Sequence, residues 1–202
     1  MSFKIKVEIS GADKRAAALQ AFPGELLAVA SGAVNRVAKP LYPRFRREIV
    51  SQVNLTEGYV RDRMSLTLAT PEQPVAIISA RRRATRLATY AAQQVTVAAP
   101  DAKGDPLRGI PRGMKQAGVS VSVKRGGARK TMSHAFLVPL LNGNGLGVFV
   151  RTGTGRKDIR HLYGPSVDQV LNRVIDDIYP EIQQSLASEV GAGLDEAIAR
   201  KL

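Results

Sequence analysis

The spacing of hydrophobic residues changes repeatedly along the chain, and each change predicts an element. Phe3, Ile5, Val7 and Ile9 alternate with Lys4, Lys6 and Glu8, the period of a half-buried strand. Gly11 ends that strand, and Asp13 suits the cap of a short helix running to Phe22. Pro23 fits the first residue of a second helix. From there Leu26, Leu27, Ala30, Val34, Val37, Leu41, Phe45, Ile49 and Val53 recur at helical spacing, with Arg36, Lys39, Arg44, Arg46 and Arg47 largely off that stripe. Pro40 and Pro43 each remove a backbone donor and crowd the preceding turn. The pattern therefore predicts one helix near 24–38 and another over about 42–53, with a kink or short break between them.

Residues 54–63 read as a turn into a short helix capped at Thr56. Two strands follow, Ser65–Thr70 and Val75–Ser79, separated by a turn at Pro71 and Pro74. Residues 81–116 lose regular periodicity and gain Gly and Pro, so they predict an excursion from the core with one strand at Gln94–Ala98. Alternation resumes in Gly118–Lys124, then in His134–Leu141 and Gly145–Arg151, which Asn142-Gly-Asn-Gly145 joins as a hairpin. A last strand is predicted at Ile159–Leu162. Ser166-Val-Asp-Gln169 is a capping-box sequence opening a long helix over 166–202. Its stripe runs Val167, Val170, Leu171, Val174, Ile175, Ile178, Ile182, Leu186, Val190, Leu194 and Ile198, and a helix reaching beyond the core would suit contact with another subunit. Strands bounded by helices favour α+β: an antiparallel sheet packed against N-terminal helices and a long C-terminal helix, in a single domain over 1–202.

Charge changes this picture. Of the 30 Lys and Arg in 202 residues, 15 lie in 81–157, against only Asp101 and Asp105, so the whole net charge of +13 belongs to that segment. A basic segment between balanced ends points to a polyanion or an acidic protein partner. The alternative is a solvated basic surface with no fixed partner. The chain has no Cys, which excludes disulfide scaffolds, thiolate-ligated metal and thiol nucleophiles, and its two His leave little for metal or acid–base chemistry. The longest apolar run, 136–141, is far shorter than the roughly 20 residues that span a bilayer. The alternating N-terminus reads as a strand and not as a leader, so synthesis and use in a cytoplasm are expected.

Gly153-Thr-Gly-Arg-Lys157 superficially suggests a phosphate loop, but Asp158 and a strand follow where a P-loop needs Ser or Thr and a helix. A basic β-turn is the better reading. Arg81, Arg82, Arg83 and Arg86 carry the fork geometry that matches phosphate, or equally a neighbour's carboxylates. Only Tyr90 is aromatic in 81–130, so base stacking on a single strand is poorly supported and duplex backbone contact is the nucleic-acid mode that remains. His161, with Tyr163 and Asp158 nearby, lacks the nucleophile elbow or metal-spaced carboxylates of an enzyme and reads as structural, as does His134.

The order of these features resembles a known family. An early helix region contains Ala33-Val-Asn-Arg-Val-Ala38, and a basic turn follows at 54–63. An Arg-rich strand region leads to a strand centred on Phe136, then Asn142-Gly and Val148-Phe-Val-Arg151. Gly155-Arg-Lys-Asp-Ile-Arg-His-Leu-Tyr-Gly-Pro-Ser166 then precedes a long helix. Over roughly residues 24–190 this resembles the minor tail protein Z family of tailed bacteriophages, also described as tail completion proteins. The resemblance implies a non-enzymatic virion protein, without cofactor or metal, at the head-proximal end of the tail. It implies a homo-oligomeric ring, commonly sixfold in related neck proteins, around the DNA channel. Tail terminator, tail tube and head-completion or connector proteins are the implied partners. In that setting Arg81, Arg82, Arg83, Arg86, Lys124, Arg125, Arg129, Lys130, Arg151, Arg156 and Lys157 are candidates for contact with channel DNA or acidic neighbours. A small basic protein that binds duplex nucleic acid through phosphate contacts is the alternative.

Overall fold

Helix α1 spans Pro23–Gln52 in the computed structural model, which describes residues 2–6, 23–141, 145–155 and 157–200. The helix expected over 13–22, the tip of the 142–145 hairpin loop and Arg156 fall outside the described residues. Ala30, Ala33, Val34, Val37, Ala38, Leu41, Phe45 and Ile49 form its buried stripe. The expected break at the prolines does not occur: α1 runs unbroken through Pro40 and Pro43. A proline inside a helix costs about 3 kcal/mol, whereas fully burying a Val, Leu or Phe contributes about 1.5–3 kcal/mol each. Val37, Leu41, Phe45 and Ile49 bracket the prolines, so keeping one buried stripe outweighs two lost donors.

The chain then forms α2 (Glu57–Arg61), β2 (Met64–Thr67) and β3 (Val75–Ala80). With β1 (Ser2–Lys6) these make a three-stranded antiparallel sheet in the order β1-β3-β2. Alternation holds in β1, where Ile5 is buried and Lys4 and Lys6 are exposed, and the Phe3 ring meets Phe45 of α1 edge-on at 5.9 Å. Asn35 supplies a cross-link that periodicity cannot show. Its side-chain amide donates to the Ala69 carbonyl at 2.9 Å, and its oxygen accepts the Ala69 N–H at 2.8 Å, as a neighbouring strand would.

The C-terminal helix, α3, spans Val167–Ala199 and pairs antiparallel with α1. Arg44 forms a two-pronged ion pair with Glu181, and Arg36 pairs with Glu189 at 2.5 Å, so contacts advance along one helix as they retreat along the other. Near its end, Leu194 and Ala197 pack with Leu26 and Val29. The distal apolar stripe, expected to serve another subunit, is thus covered within the chain. Gly193 permits the approach, because a Cβ there would lie 3.0 Å from Val29.

The described residues of Met1–Ile49, Glu57–Arg82 and Val167–Leu202 form one compact unit, containing these elements. Those of Val50–Thr56 and Arg83–Ser166 form a second, built of short antiparallel strands. The second contains β4 (Thr85–Arg86), β5 (Gln93–Ala98), β6 (Met114–Val121), β7 (Lys130–Met132), β8 (Ala135–Pro139), β9 (Leu146–Arg151), β10 (Ile159–His161) and β11 (Tyr163–Gly164). They pair as β5-β6-β7, β10-β9-β8 and β11-β4. The fold is α+β.

Residues 81–116 are more integrated than the excursion their composition predicts. They supply β4, β5 and two 3-10 turns, Leu87–Thr89 and Pro106–Arg108, and bury Thr85, Leu87, Tyr90 and Ile110. Tyr90 is fully buried, and its hydroxyl donates to the Pro165 carbonyl at 2.6 Å. Gly164 lies flat against that ring, where a Cβ would sit 2.6 Å from a ring carbon. The Leu-Tyr-Gly-Pro-Ser run therefore has a structural reading: it docks the end of the β unit onto Tyr90, with buried Ser166 immediately before α3.

Candidate interaction surface

The candidate cations do not form one site. Arg81 and Arg82 belong to the helical unit, where the Arg81 N–H donates to the Arg63 carbonyl at 2.9 Å, whereas Arg83 belongs to the β unit; all three side chains are exposed. Arg86 lies in β4, opposite Tyr163. Lys124, Lys130 and Lys157 are exposed in or beside turns of the β unit, and Arg156 is outside the described residues.

Arg125 and Arg129 hold the Lys124–Lys130 turn by bonds to backbone. The Arg125 guanidinium donates to the carbonyls of Val50 and Leu55, the second at 2.9 Å, and its N–H donates to Gln52 at 3.1 Å. Orphan carbonyls at the end of α1 are thereby met by a cation, which also suits the helix dipole. Arg129 donates to the carbonyls of Ala91 at 2.6 Å and Ser120 at 3.0 Å. Ala91 has φ +48°, a left-handed conformation that costs a residue with a Cβ, and Arg129 grips its carbonyl. Arg151 is exposed, with its guanidinium 5.7 Å from the Phe136 ring centre.

A row of planar side chains lies beside these cations. Phe136 and Phe149 face each other across β8 and β9 with ring centres 6.3 Å apart, and Phe149 and His161 stack across β9 and β10 at 4.4 Å. His161 in turn meets Tyr163 at 4.5 Å, and the Tyr163 hydroxyl lies 3.1 Å from His161 Nδ1. Gly147 makes room, since a Cβ there would approach both Phe149 and His161 Nε2 within 2.9 Å. His161 Nε2 is buried without a hydrogen-bond partner. Burial first, and the Arg86 charge second, hold the imidazole below the ordinary histidine pKa, favouring the neutral form. Asp158 accepts the Gly155 N–H at 2.9 Å, so its carboxylate is spent on the preceding turn rather than on a relay with His161.

Each ring comes from a different strand, and the sequence separations depend on hairpin register, so the row is not visible as a motif. Its one sequence signal is that Phe136 and Phe149 alternate with buried Ala135, Leu137 and Val148 and so lie together on the opposite face of the hairpin. In the helical unit, an open groove of about 260 Å³ lies along α1 and α3, but its bordering charges are matched as Arg36–Glu189 and Arg44–Glu181. Among the described residues, no group of three or more His, Asp or Glu is arranged to hold a metal ion, and no helix is long and apolar enough to cross a membrane.

None of the curated proteins and none of the solved structures is significantly similar to the chain. A family model does match, that of prophage minor tail protein Z, over residues 9–202. With nearly its whole length covered, the chain belongs to the prophage minor tail protein Z family and is a structural component of a phage tail.

Proposed function

We propose that this tail protein is a tail completion subunit, acting without catalysis at the head-proximal end of the tail. In this reading several copies form a ring around the DNA channel, support tail assembly and join the tail to the filled head. Tail terminator, tail tube and head-completion or connector proteins are its partners, and sixfold symmetry is expected. The carrying observation is the division of charge. The β unit holds 14 Lys and Arg against 3 Asp and Glu, while the helical unit holds 16 against 14. A protein with one balanced and one strongly basic unit suits a place beside confined DNA or acidic neighbours.

Deleting the protein from an otherwise complete phage should leave heads and tails that fail to join, seen as separate particles by electron microscopy. Normal joined virions in its absence would overturn the proposal. The same charge also supports the second reading, an independent duplex binder. That reading requires the purified chain to bind duplex as a free protein, with affinity falling steeply from low to physiological salt. Weak binding at low salt would count against it.

A further inference from the structure

Two surfaces of this chain are opposite in charge. α3 carries one Arg against seven Asp and Glu. Three of its carboxylates, Glu181, Glu189 and Glu196, are matched by Arg44, Arg36 and Arg200, and Asp168 is buried. Asp176 is exposed, as is Tyr179, at 47%. Asp176 and Tyr179 are three residues apart and share a helix face. The β unit offers the complement. Its ring row runs from Arg151 above Phe136 to Tyr163, 49% exposed, opposite Arg86 in β4. Tyr and Arg are among the side chains enriched where protein contacts concentrate their energy, and a half-buried aromatic row ending in exposed Tyr163 and flanked by Arg is suited to such a contact.

We infer that the Arg151–Tyr163 ring row of one copy receives the Asp176 and Tyr179 face of α3 from a second copy. The inference rests on the proposed reading that the chain works in several copies, and it names the contact between them. The pairing is head-to-tail: each copy uses a different surface toward each neighbour, so repetition builds a ring when the rotation closes. The basic β unit then meets protein carboxylates along this row rather than DNA phosphate. Rings favour the same choice, because their ring–ring stacking leaves edges rather than open faces for a base to lie on.

The absence of Cys from the chain allows a clean test. Arg151→Cys and Gln183→Cys, the latter exposed one turn beyond Tyr179 on the same face, are made singly and together in the full chain, checked for folding by circular dichroism, and treated with a short bis-maleimide. The reaction is run on concentrated purified protein and on assembled phage particles. Mixed single variants should give a linked pair, each single variant alone should give none, and the double variant should give a ladder of multimers. Adding Asp176→Arg to the mixed pair should lower the yield about tenfold, as like charges oppose docking. Efficient linking of either single variant to itself would overturn the inference, as would no mixed product from purified protein or from particles that contain the chain. Unchanged linking by Asp176→Arg, with duplex DNA blocking the reaction, would overturn it in favour of a DNA-facing row. Absence of the chain from particles would instead defeat the tail completion reading, and the purified-protein arm would still decide the contact.

Discussion

The two units satisfy their arginines in different ways. In the helical unit Arg36, Arg44 and Arg61 meet carboxylates, on Glu189, Glu181 and Asp62. In the β unit Arg125 and Arg129 bond to backbone carbonyls and Arg151 sits over a ring, while Arg108 finds Asp105 at 2.6 Å. The difference follows from supply, since the β unit holds only 3 Asp and Glu. A carbonyl satisfies a guanidinium's hydrogen bonds without cancelling its charge. The β unit can therefore build with its arginines and remain strongly basic, whereas the helical unit spends charge on pairing. Hydrogen-bond satisfaction and electrostatic neutralisation are separate quantities, so exposed arginines such as Arg125 and Arg129 can be hydrogen-bonded while their charge remains.

The contrast can be broken most severely at Tyr90. Tyr90→Ala should destabilise the β unit by about 3–5 kcal/mol, the range for removing a buried aromatic side chain. Peptide-resolved hydrogen exchange should show lost protection in β4, β11 and the 3-10 turn at Leu87–Thr89. Gly164→Val should act in the same direction, because its side chain would enter the Tyr90 ring, and a fully protected variant would refute the docking role.

On the helical side, Asn35→Leu should cost about 1–3 kcal/mol by leaving the buried Ala69 N–H and carbonyl unpaired. Thermal denaturation measures it. Asn35→Asp restores only the acceptor and should recover part of the loss.

Salt sharpens the comparison of arginines. Arg44→Ala should cost less than about 1 kcal/mol, and the loss should shrink further in high salt, as for exposed ion pairs. Arg129→Ala should cost about 1–2 kcal/mol with little salt dependence, because its partners are neutral carbonyls and a hydroxyl. Equal salt dependence in the two variants would erase the distinction. Urea denaturation at two salt concentrations compares them directly.

The smallest effect is expected from His161. Its folded pKa lies below the unfolded value of about 6.5, so the folded chain binds fewer protons than the unfolded one as that range is crossed. Stability is fully present above the unfolded pKa and is lost as pH falls through the depressed folded value. His161→Phe should keep the ring row and flatten this part of the stability–pH curve, measurable by thermal denaturation from pH 7.5 to 5. An unchanged slope would assign the dependence to other groups.

How much was legible from sequence follows the range of the interactions. The hairpin strands around Phe136 and Val148, β1 and α3 announce themselves because their periods are local, and the capping-box sequence stands immediately before the observed start of α3. Pro40 and Pro43 misled because local propensity speaks against a helix that Phe45 and Ile49 bury. Residues 81–116 looked loose because Thr85, Leu87, Tyr90 and Ile110 are buried at irregular spacing, with no repeat to mark them. The sequence counts the cations but does not separate Arg125 and Arg129 from Lys124 and Lys130, because their partners are backbone atoms distant in sequence.

By itself, the sequence determined the α+β class and the strongly periodic elements such as β1, β3, β8, β9 and α3, where the positive charge is concentrated, and which family the order of elements resembles. These properties depend on neighbouring residues, on counting, or on linear order. Tertiary structure alone decided that α1 passes its prolines, that the end of α3 is covered by α1, and that some arginines are anchors while others face solvent. It also brought Phe136, Phe149, His161 and Tyr163 into one row. Those outcomes depend on burial and on register between distant strands, and neither leaves a periodic trace in the chain.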